Sequence, residues 1–497
     1  MKCGWFSQVR TVAVIGLMLA LAECGATAAA SRMPATTPEM VSAHAGKVYY
    51  VATTGSDSNP GTIAQPWRTI QKAANTMVAG DTVYIRAGTY RERVVPQHSG
   101  SAGQTITYAA YPGETATIDG SSVTLPDDLA GLFEVSGKSY IKISGLRVVN
   151  AGPHDNNAGI LVNDSSYVVV ENNYTYNTVS SGIGVWGGDH VTVDGNTVEH
   201  ACTDIWQECL TVASTDVFEI KNNEVFDCQE EGIDAKDGAS NGQVYRNVVH
   251  HVDSTGLYID AWDKHTHDID VFQNIVHDIG DNGFALASEA GGLLENIRVY
   301  NNIAYHNRWV GFSVTTNGLS GPMKGVSIVN NTAYDNGWAE WGGGVLVDDP
   351  NVENVVVRNN IVSQNLYFQI VVSPGVPVQQ VTVDHNLIDG YQDTEGEIYG
   401  DVPVTGDPRF VNPSGGDFHL WTDSPAIDAG SAMDAPAEDF DGRPRPYDGD
   451  GDGTAGYDIG AYEVGAPLEP AAYLPLVFRA SSPFAVSRCG VYDRSAR

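Results

Sequence analysis

One short pattern recurs along most of this chain and restricts its fold more than any other feature. From residue 168 onward the segments "VVVENNY", "VTVDGNTV", "FEIKNNEV", "GQVYRNVV", "IDVFQNIV", "IRVYNNIA", "VSIVNNTA", "VVVRNNIV" and "VTVDHNLI" share an asparagine, at Asn173, Asn196, Asn223, Asn247, Asn274, Asn302, Asn331, Asn360 and Asn386. Eight intervals cover 213 residues, a mean period of about 27. Each unit carries a second short strand, usually opened by glycine, as in "GILV", "GIGV", "GIDA", "GLYI", "GFAL" and "GVLV". Two or three short strands per period with no helical spacing between them predict an all-β solenoid, a parallel β-helix. A single coil cannot bury its apolar face alone, so neighbours must stack, and the general crossover preference makes the winding right-handed. The repeated asparagine is expected at an inward turn, bonded to its equivalents along the axis.

Before the repeats, "WRTIQKAANTM" has helical spacing at Ile70, Ala73, Ala74 and Met77 and is expected to cap the open end of the stack. The β-helix is expected over residues 47–400, a small C-terminal module of turns and short strands over 401–463, and a linker and tail over 464–497. Residues 1–30 read as an export signal: Lys2 and Arg10, then the apolar run "TVAVIGLMLALA", then small residues. That run is too short for a transmembrane helix, and no later segment would span a bilayer. The mature chain is therefore expected to be secreted or at the cell surface, and monomeric. A formal net charge of -34 argues against nucleic acid as a partner, and an anionic polymer needs a metal ion or local cations to approach. Of six cysteines, Cys202, Cys209 and Cys228 fall within the repeats and read as buried thiols, one bridge among them being open.

Charge is concentrated in "CQEEGIDAKDGASNG", Cys228 to Gly242. If the glycine-opened strands stack, Leu210, Val212, Ile233, Ala235, Leu257 and Ile259 point inward. Thr211, Ala213, Asp234, Lys236, Tyr258 and Asp260 then share one outer face. Glu208 and Glu231 occupy equivalent places before their strands, with Glu230 adjacent. Glu208, Glu230, Glu231 and Asp234 converging without a cation would be unfavourable, and Ca²⁺, which takes six to eight hard oxygen ligands, resolves it. Lys236 beside such a site is expected to have a lowered pKa and to serve as general base. A metal site joined to a base suits β-elimination on a uronate polysaccharide, an acidic partner that the metal would carry onto an acidic protein. The plain alternative is that Lys236 only pairs with Asp234, Asp237 or Asp260. Arg246 could pair with a uronate, Tyr258 and Trp262 could stack on sugar rings, and Glu289 falls on the same face.

The segment "YYVATTGSDSNPGT…PWRTIQKAANTMVAGDTVYIRAGTYRE" resembles the opening of secreted right-handed β-helix proteins that include the pectate lyases of polysaccharide lyase family nine. The resemblance implies an acidic calcium site, with "EEGID" as the calcium-binding run and Glu208 one coil earlier, and Lys236 as base. "ECLTV…CQEEGIDAK" is also similar to the coils of family six alginate lyases, which place an arginine acid one coil after the lysine; Asp260 stands there in this chain. Tyr258, His250 or water remain as proton donors. The C-terminal "SPAIDAGS…DFDGRPRP…DIGAYE" looks like a module common in secreted bacterial β-helices, and "DGDGDG", Asp448 to Gly453, reads as a turn able to hold a structural Ca²⁺. Three readings stay open: a Ca²⁺-dependent lyase or a related uronate epimerase, a non-catalytic surface β-helix that binds glycans or mediates adhesion, and a glycoside hydrolase using Asp234 and Asp260.

Overall fold

A computed structural model describes residues 46–203, 207–338 and 341–465. The expected export signal, Cys3, Cys24, Cys489 and nearly all of the expected tail lie outside the described residues. The described chain is a right-handed parallel β-helix. Its strands pair in parallel with their equivalents one coil away, in a 23-stranded sheet that wraps two faces and a 13-stranded sheet on the third. In one typical coil Ile233–Lys236 lies on the first face, Ser240–Tyr245 on the second and Val248–His250 on the third.

The asparagine column is present at all nine positions. Each Nδ2 donates to the next Oδ1 at 2.9–3.1 Å, from Asn173 to Asn386. The same oxygen also accepts the preceding asparagine's backbone N–H, as Asn274 Oδ1 does from Asn247 at 3.0 Å. The doubled "NN" has a backbone cause: the residue before each ladder asparagine is left-handed, with φ near +55° at Asn172, Asn222, Asn301, Asn330 and Asn359. Asparagine tolerates that conformation better than other side-chain-bearing residues. A second, shorter amide column runs Asn307, Asn336, Asn365, Gln369 at 2.8–2.9 Å. Its spacing of 29 residues is legible in the sequence, but only three asparagines mark it.

The expected cap forms, shorter than its apolar spacing. The helix covers Ile70–Ala74 and ends at Asn75, while Ile70, Ala73, Ala74 and Met77 are buried against the first coil. Thr69 Oγ1 accepts from Lys72 N at 3.2 Å, and the Glu92 carboxylate accepts from the first two helical N–H groups at 3.0 and 2.9 Å. At the other end Phe410–Asn412 and Asp417–Leu420 form an antiparallel pair. The chain beyond lies on the third face: Phe418, Ala461 and Tyr462 pack with Ile275 and Ile303, and Leu420, Ala426 and Ile459 with Ile361 and Leu387. A fully buried ion pair, Arg445–Glu463 at 3.1 Å, ties this segment together. The "DGDGDG" run is a turn, and Asp428, Asp448 and Asp450 bring three carboxylate oxygens within 4.8 Å of one another.

Candidate functional site

The register of the first face is the one the strand alternation predicts. Thr211 pairs with Asp234 and Ala213 with Lys236; Asp234 pairs with Tyr258 and Lys236 with Asp260. The inward set, Leu210, Val212, Ile233, Ala235, Leu257 and Ile259, is buried in the core. The outer face is not a solvated surface either. Thr211, Ala213, Asp234, Tyr258 and Asp260 are all buried, and Glu208 retains 7% exposure.

Within this closed space the charges meet. Glu208 accepts Thr211 Oγ1 at 2.7 Å on one oxygen and the Lys236 ammonium on the other. Lys236 Nζ is 3.8 Å from Asp234 Oδ2 and 5.8 Å from the Trp186 ring centre. Glu231 accepts Ser254 Oγ at 2.9 Å, and Glu230 is half-buried beside it. Asp260 Oδ1 accepts the Trp262 backbone N–H at 2.8 Å, and Tyr258 donates its hydroxyl to Glu289 at 2.5 Å.

Burial governs the titration of this group. It raises the Glu231 carboxyl, with the Glu208 charge adding to it, and raises Asp234 well above its usual range despite the Lys236 charge. Asp260 is pushed up to about 7, chiefly by burial. Lys236 departs from expectation. Burial pulls its pKa down, but the Glu208 and Asp234 carboxylates outweigh that and hold the ammonium protonated. The chain by itself thus makes Lys236 the counterion of the cluster, because a carboxylate neighbour favours the charged lysine more than desolvation opposes it.

The cluster has the donor chemistry of a hard-cation site. Asp234 Oδ1 is buried with no hydrogen-bond partner. The groups around Lys236 that could turn to a metal are all carboxylates, the ligand type Ca²⁺ takes. Among the described residues only Asp428, Asp448 and Asp450 bring three such oxygens within 4.8 Å, so Glu208, Glu231 and Asp234 stand further apart, around the ammonium. Binding would have to draw them together.

Other nominated residues fall elsewhere. Arg246 is the left-handed residue before Asn247, which puts it at the corner between the second and third faces. There its Nε donates to Gln273, and it lines a cleft of about 540 Å³ with Phe272, Tyr300 and Glu438, apart from the acidic cluster. His250 is on the third face, stacked between Phe226 and His277. Trp262 lies just past Asp260 on the rim of the first face, 48% exposed. Cys202, Cys209 and Cys228 are free and buried beneath the cluster, with Cys202 Sγ 3.5 Å from Cys209 Sγ. No helix among the described residues is long and apolar enough to cross a membrane.

Known proteins share this architecture. A family described as Pel9A-like, right-handed β-helix region, matches residues 49–344. The uncharacterized protein YwoF of Bacillus subtilis (strain 168) is 28% identical over 437 residues, 77% of this chain and 92% of that protein. The pectate lyase PEL9 of Emericella nidulans is 32% identical over 149 residues, 28% of this chain and 35% of the lyase. The crystal structure of pectate lyase Pel9A superimposes with a TM-score of 0.51 at 20% identity, covering 84% of this chain and 96% of that one. With the family match extending from the first strand past the acidic coils, the chain belongs to the Pel9A-like right-handed β-helix family.

Proposed function

We propose that the protein is a secreted, Ca²⁺-dependent polysaccharide lyase that cleaves a uronate-containing polysaccharide by β-elimination. The observation that carries this reading is the coil-to-coil convergence on the first face of buried Glu208, Asp234 and Asp260 with half-buried Glu231 and Lys236. Its place in a Pel9A-like β-helix, with a pectate lyase among the relatives, supports the choice of substrate class. Export rests on the apolar run after Lys2 and Arg10.

Calcium held by Glu208, Glu230, Glu231 and Asp234 would supply an electrophile for the substrate's C6 carboxylate, making the C5 proton more acidic. Lys236 Nζ is the group placed to accept that proton. To act as base the lysine must first lose its own, which requires that Glu208 and Asp234 give up their interaction with it. A Glu208 committed elsewhere would leave burial as the dominant influence on Lys236 and lower its pKa toward the working range. Asp260, in register with Lys236 and titrating near neutrality, can relay a proton to or from the lysine. The Tyr258 hydroxyl, held by Glu289, is the candidate donor to the departing C4 oxygen. A uronate epimerase would share the abstraction step and use the same tyrosine for reprotonation.

A second reading has its own observation. The Lys236–Glu208 pair is closed and largely shielded from water, as expected of a structural ion pair in a β-helix that binds glycans without cleaving them. One experiment separates the two: ultraviolet absorbance of a newly formed unsaturated uronate, on pectate, alginate and glycosaminoglycan, with Ca²⁺ and then with chelator. A calcium-dependent rise that Lys236→Ala abolishes, with the fold and Ca²⁺ binding retained, establishes elimination. No rise on any uronate, in a protein that still binds Ca²⁺, leaves the binding reading.

A further inference from the structure

The rim of the first face continues past the acidic cluster and changes character. Strand register aligns Ile233, Leu257, Phe284, Phe312, Val345 and Ile370 in consecutive coils. The residues three positions before them therefore form one column: Glu230, Ser254, Asp281, Trp309, Gly342 and Tyr367. Backbone bonds hold its later part together. Trp309 N donates to Asp281 O at 3.1 Å, Gly343 N to Trp309 O at 3.1 Å, and Tyr367 N to Gly342 O at 3.0 Å. The column begins with a carboxylate and ends with aromatic rings.

Those rings are open to solvent. Trp309 is 43% exposed, Tyr367 44% and the flanking Trp341 47%, although aromatic side chains elsewhere on this solenoid mostly stack into one another or the core. Trp341 is steadied edge-on against Phe368 at 5.5 Å. Between Trp309 and Tyr367 the column carries only Gly342, where a Cβ would stand 2.2 Å from the Trp309 carbonyl oxygen. No side chain therefore interrupts the strip. At about 4.8 Å per coil, Trp309 lies about 14 Å and Tyr367 about 24 Å beyond Glu230 along the axis.

We infer that Trp309, Trp341 and Tyr367 form a binding platform for a polysaccharide chain lying parallel to the solenoid axis, several sugar units from the acidic cluster. A pyranose ring has a flat C–H face that rests on an aromatic ring and a polar edge left in water, so a narrow row of half-exposed rings suits it. A protein partner fits less well. An aromatic side chain presents about 150–250 Å² in all, so three half-exposed rings fall well short of the ~800 Å² per partner of a stable interface. The strip is also narrow, one column with Trp341 beside it, and in line with Glu230 at the edge of the acidic cluster. The inference deepens the proposed function, resting on it for where the chain's acidic sugar sits; binding by the rings does not require cleavage.

The test is affinity electrophoresis of the full chain in native gels containing polygalacturonate, alginate or xylan, at fixed Ca²⁺. The wild type should be retarded by at least one of the three. Lys236→Ala should be retarded equally, whereas Trp309→Ala and Tyr367→Ala should each weaken retention about tenfold, with Trp309→Tyr recovering part of it. Unchanged thermal midpoints show that the variants fold. Equal retention of Trp309→Ala and Tyr367→Ala overturns the platform. So does a wild type that none of the polysaccharides retards, or a dimer in sedimentation that Trp309→Ala dissolves. Retention lost with the rings but without elimination activity on any uronate would sink the lyase reading and leave the platform standing.

Discussion

Two buried columns of polar side chains run along this solenoid at the same spacing, and they behave in opposite ways. The asparagine column places one amide per coil inside the turn, and every amide is satisfied by its neighbours and the backbone. The acidic column puts Glu208 and Glu231 in consecutive coils of the first face, with Asp234 and Asp260 beside them, and leaves Asp234 Oδ1 with no partner. The difference is chemical. An amide carries both donor and acceptor, so repeating it makes a chain of hydrogen bonds; an ionised carboxylate only accepts, so repeating it creates a need for protons or cations. A repeated amide is a structural device. A repeated buried carboxylate is a binding site or an unfavourable cluster.

The largest effect is expected in the amide column. Asn274→Ala removes the acceptor for two N–H groups of Asn247 and the donor to Val244 O and Asn302 Oδ1. Several buried groups left unpaired should destabilise the β-helix by about 5 kcal/mol, read as the fall in denaturant midpoint at constant slope. An effect under about 1 kcal/mol would show that the ladder is not the element that stabilises the stack.

The acidic column should reveal itself through pH. Asp260 is raised to about 7 in the folded chain, so between its unfolded value and neutrality the native state binds more protons. Stability contributed by the protonated carboxyl is therefore full at low pH and lost as pH rises through about 7. In chelator, unfolding free energy should fall between pH 4 and pH 7, by at most about 4 kcal/mol from this group. Asp260→Asn should flatten the slope, and a wild-type profile already flat would show the carboxyl is not buried as described.

Metal addition sharpens the contrast. Saturating Ca²⁺ at a hundred times its dissociation constant should stabilise the wild type by about 2.7 kcal/mol, measured as a thermal shift. Asp234→Asn should abolish that shift while changing stability in chelator by no more than about 1 kcal/mol, since burial already favours the uncharged form of this side chain and the amide keeps its shape. The Asp428, Asp448 and Asp450 cluster is a second place where the ion could act, so Asp448→Asn serves as the control. A shift that survives Asp234→Asn and vanishes in Asp448→Asn would locate calcium in the C-terminal turn.

The smallest effect is expected where charge stacking is exposed. Arg298 makes two 2.7 Å bonds to Asp270 one coil away on the second face, with its side chain 60% exposed. Arg298→Ala should change stability by no more than about 1 kcal/mol, and less in high salt.

The solenoid, its period, the asparagine column and the register of the first face are all legible in the amino-acid order. Each follows from a two-residue strand alternation and a fixed repeat, and both are local properties of the chain. Alternation also grouped Asp234, Lys236, Tyr258 and Asp260 on one outer face, and that grouping holds in the structure. What alternation could not show is how covered that face is, because burial there depends on side chains of neighbouring coils closing over one another, as Tyr258 does with Ala285 and Ala287. Tertiary structure alone decided that Lys236 sits against Glu208 and is held protonated, since the sign of its shift depends on carboxylates one coil away outweighing desolvation. It also moved Arg246 off the site, because the turn's left-handed position, set by the column behind it, fixes which corner the side chain occupies. The row of Trp309 and Tyr367 was hidden for the same reason: 58 residues separate them in the chain, and only stacking of the coils places them in one line.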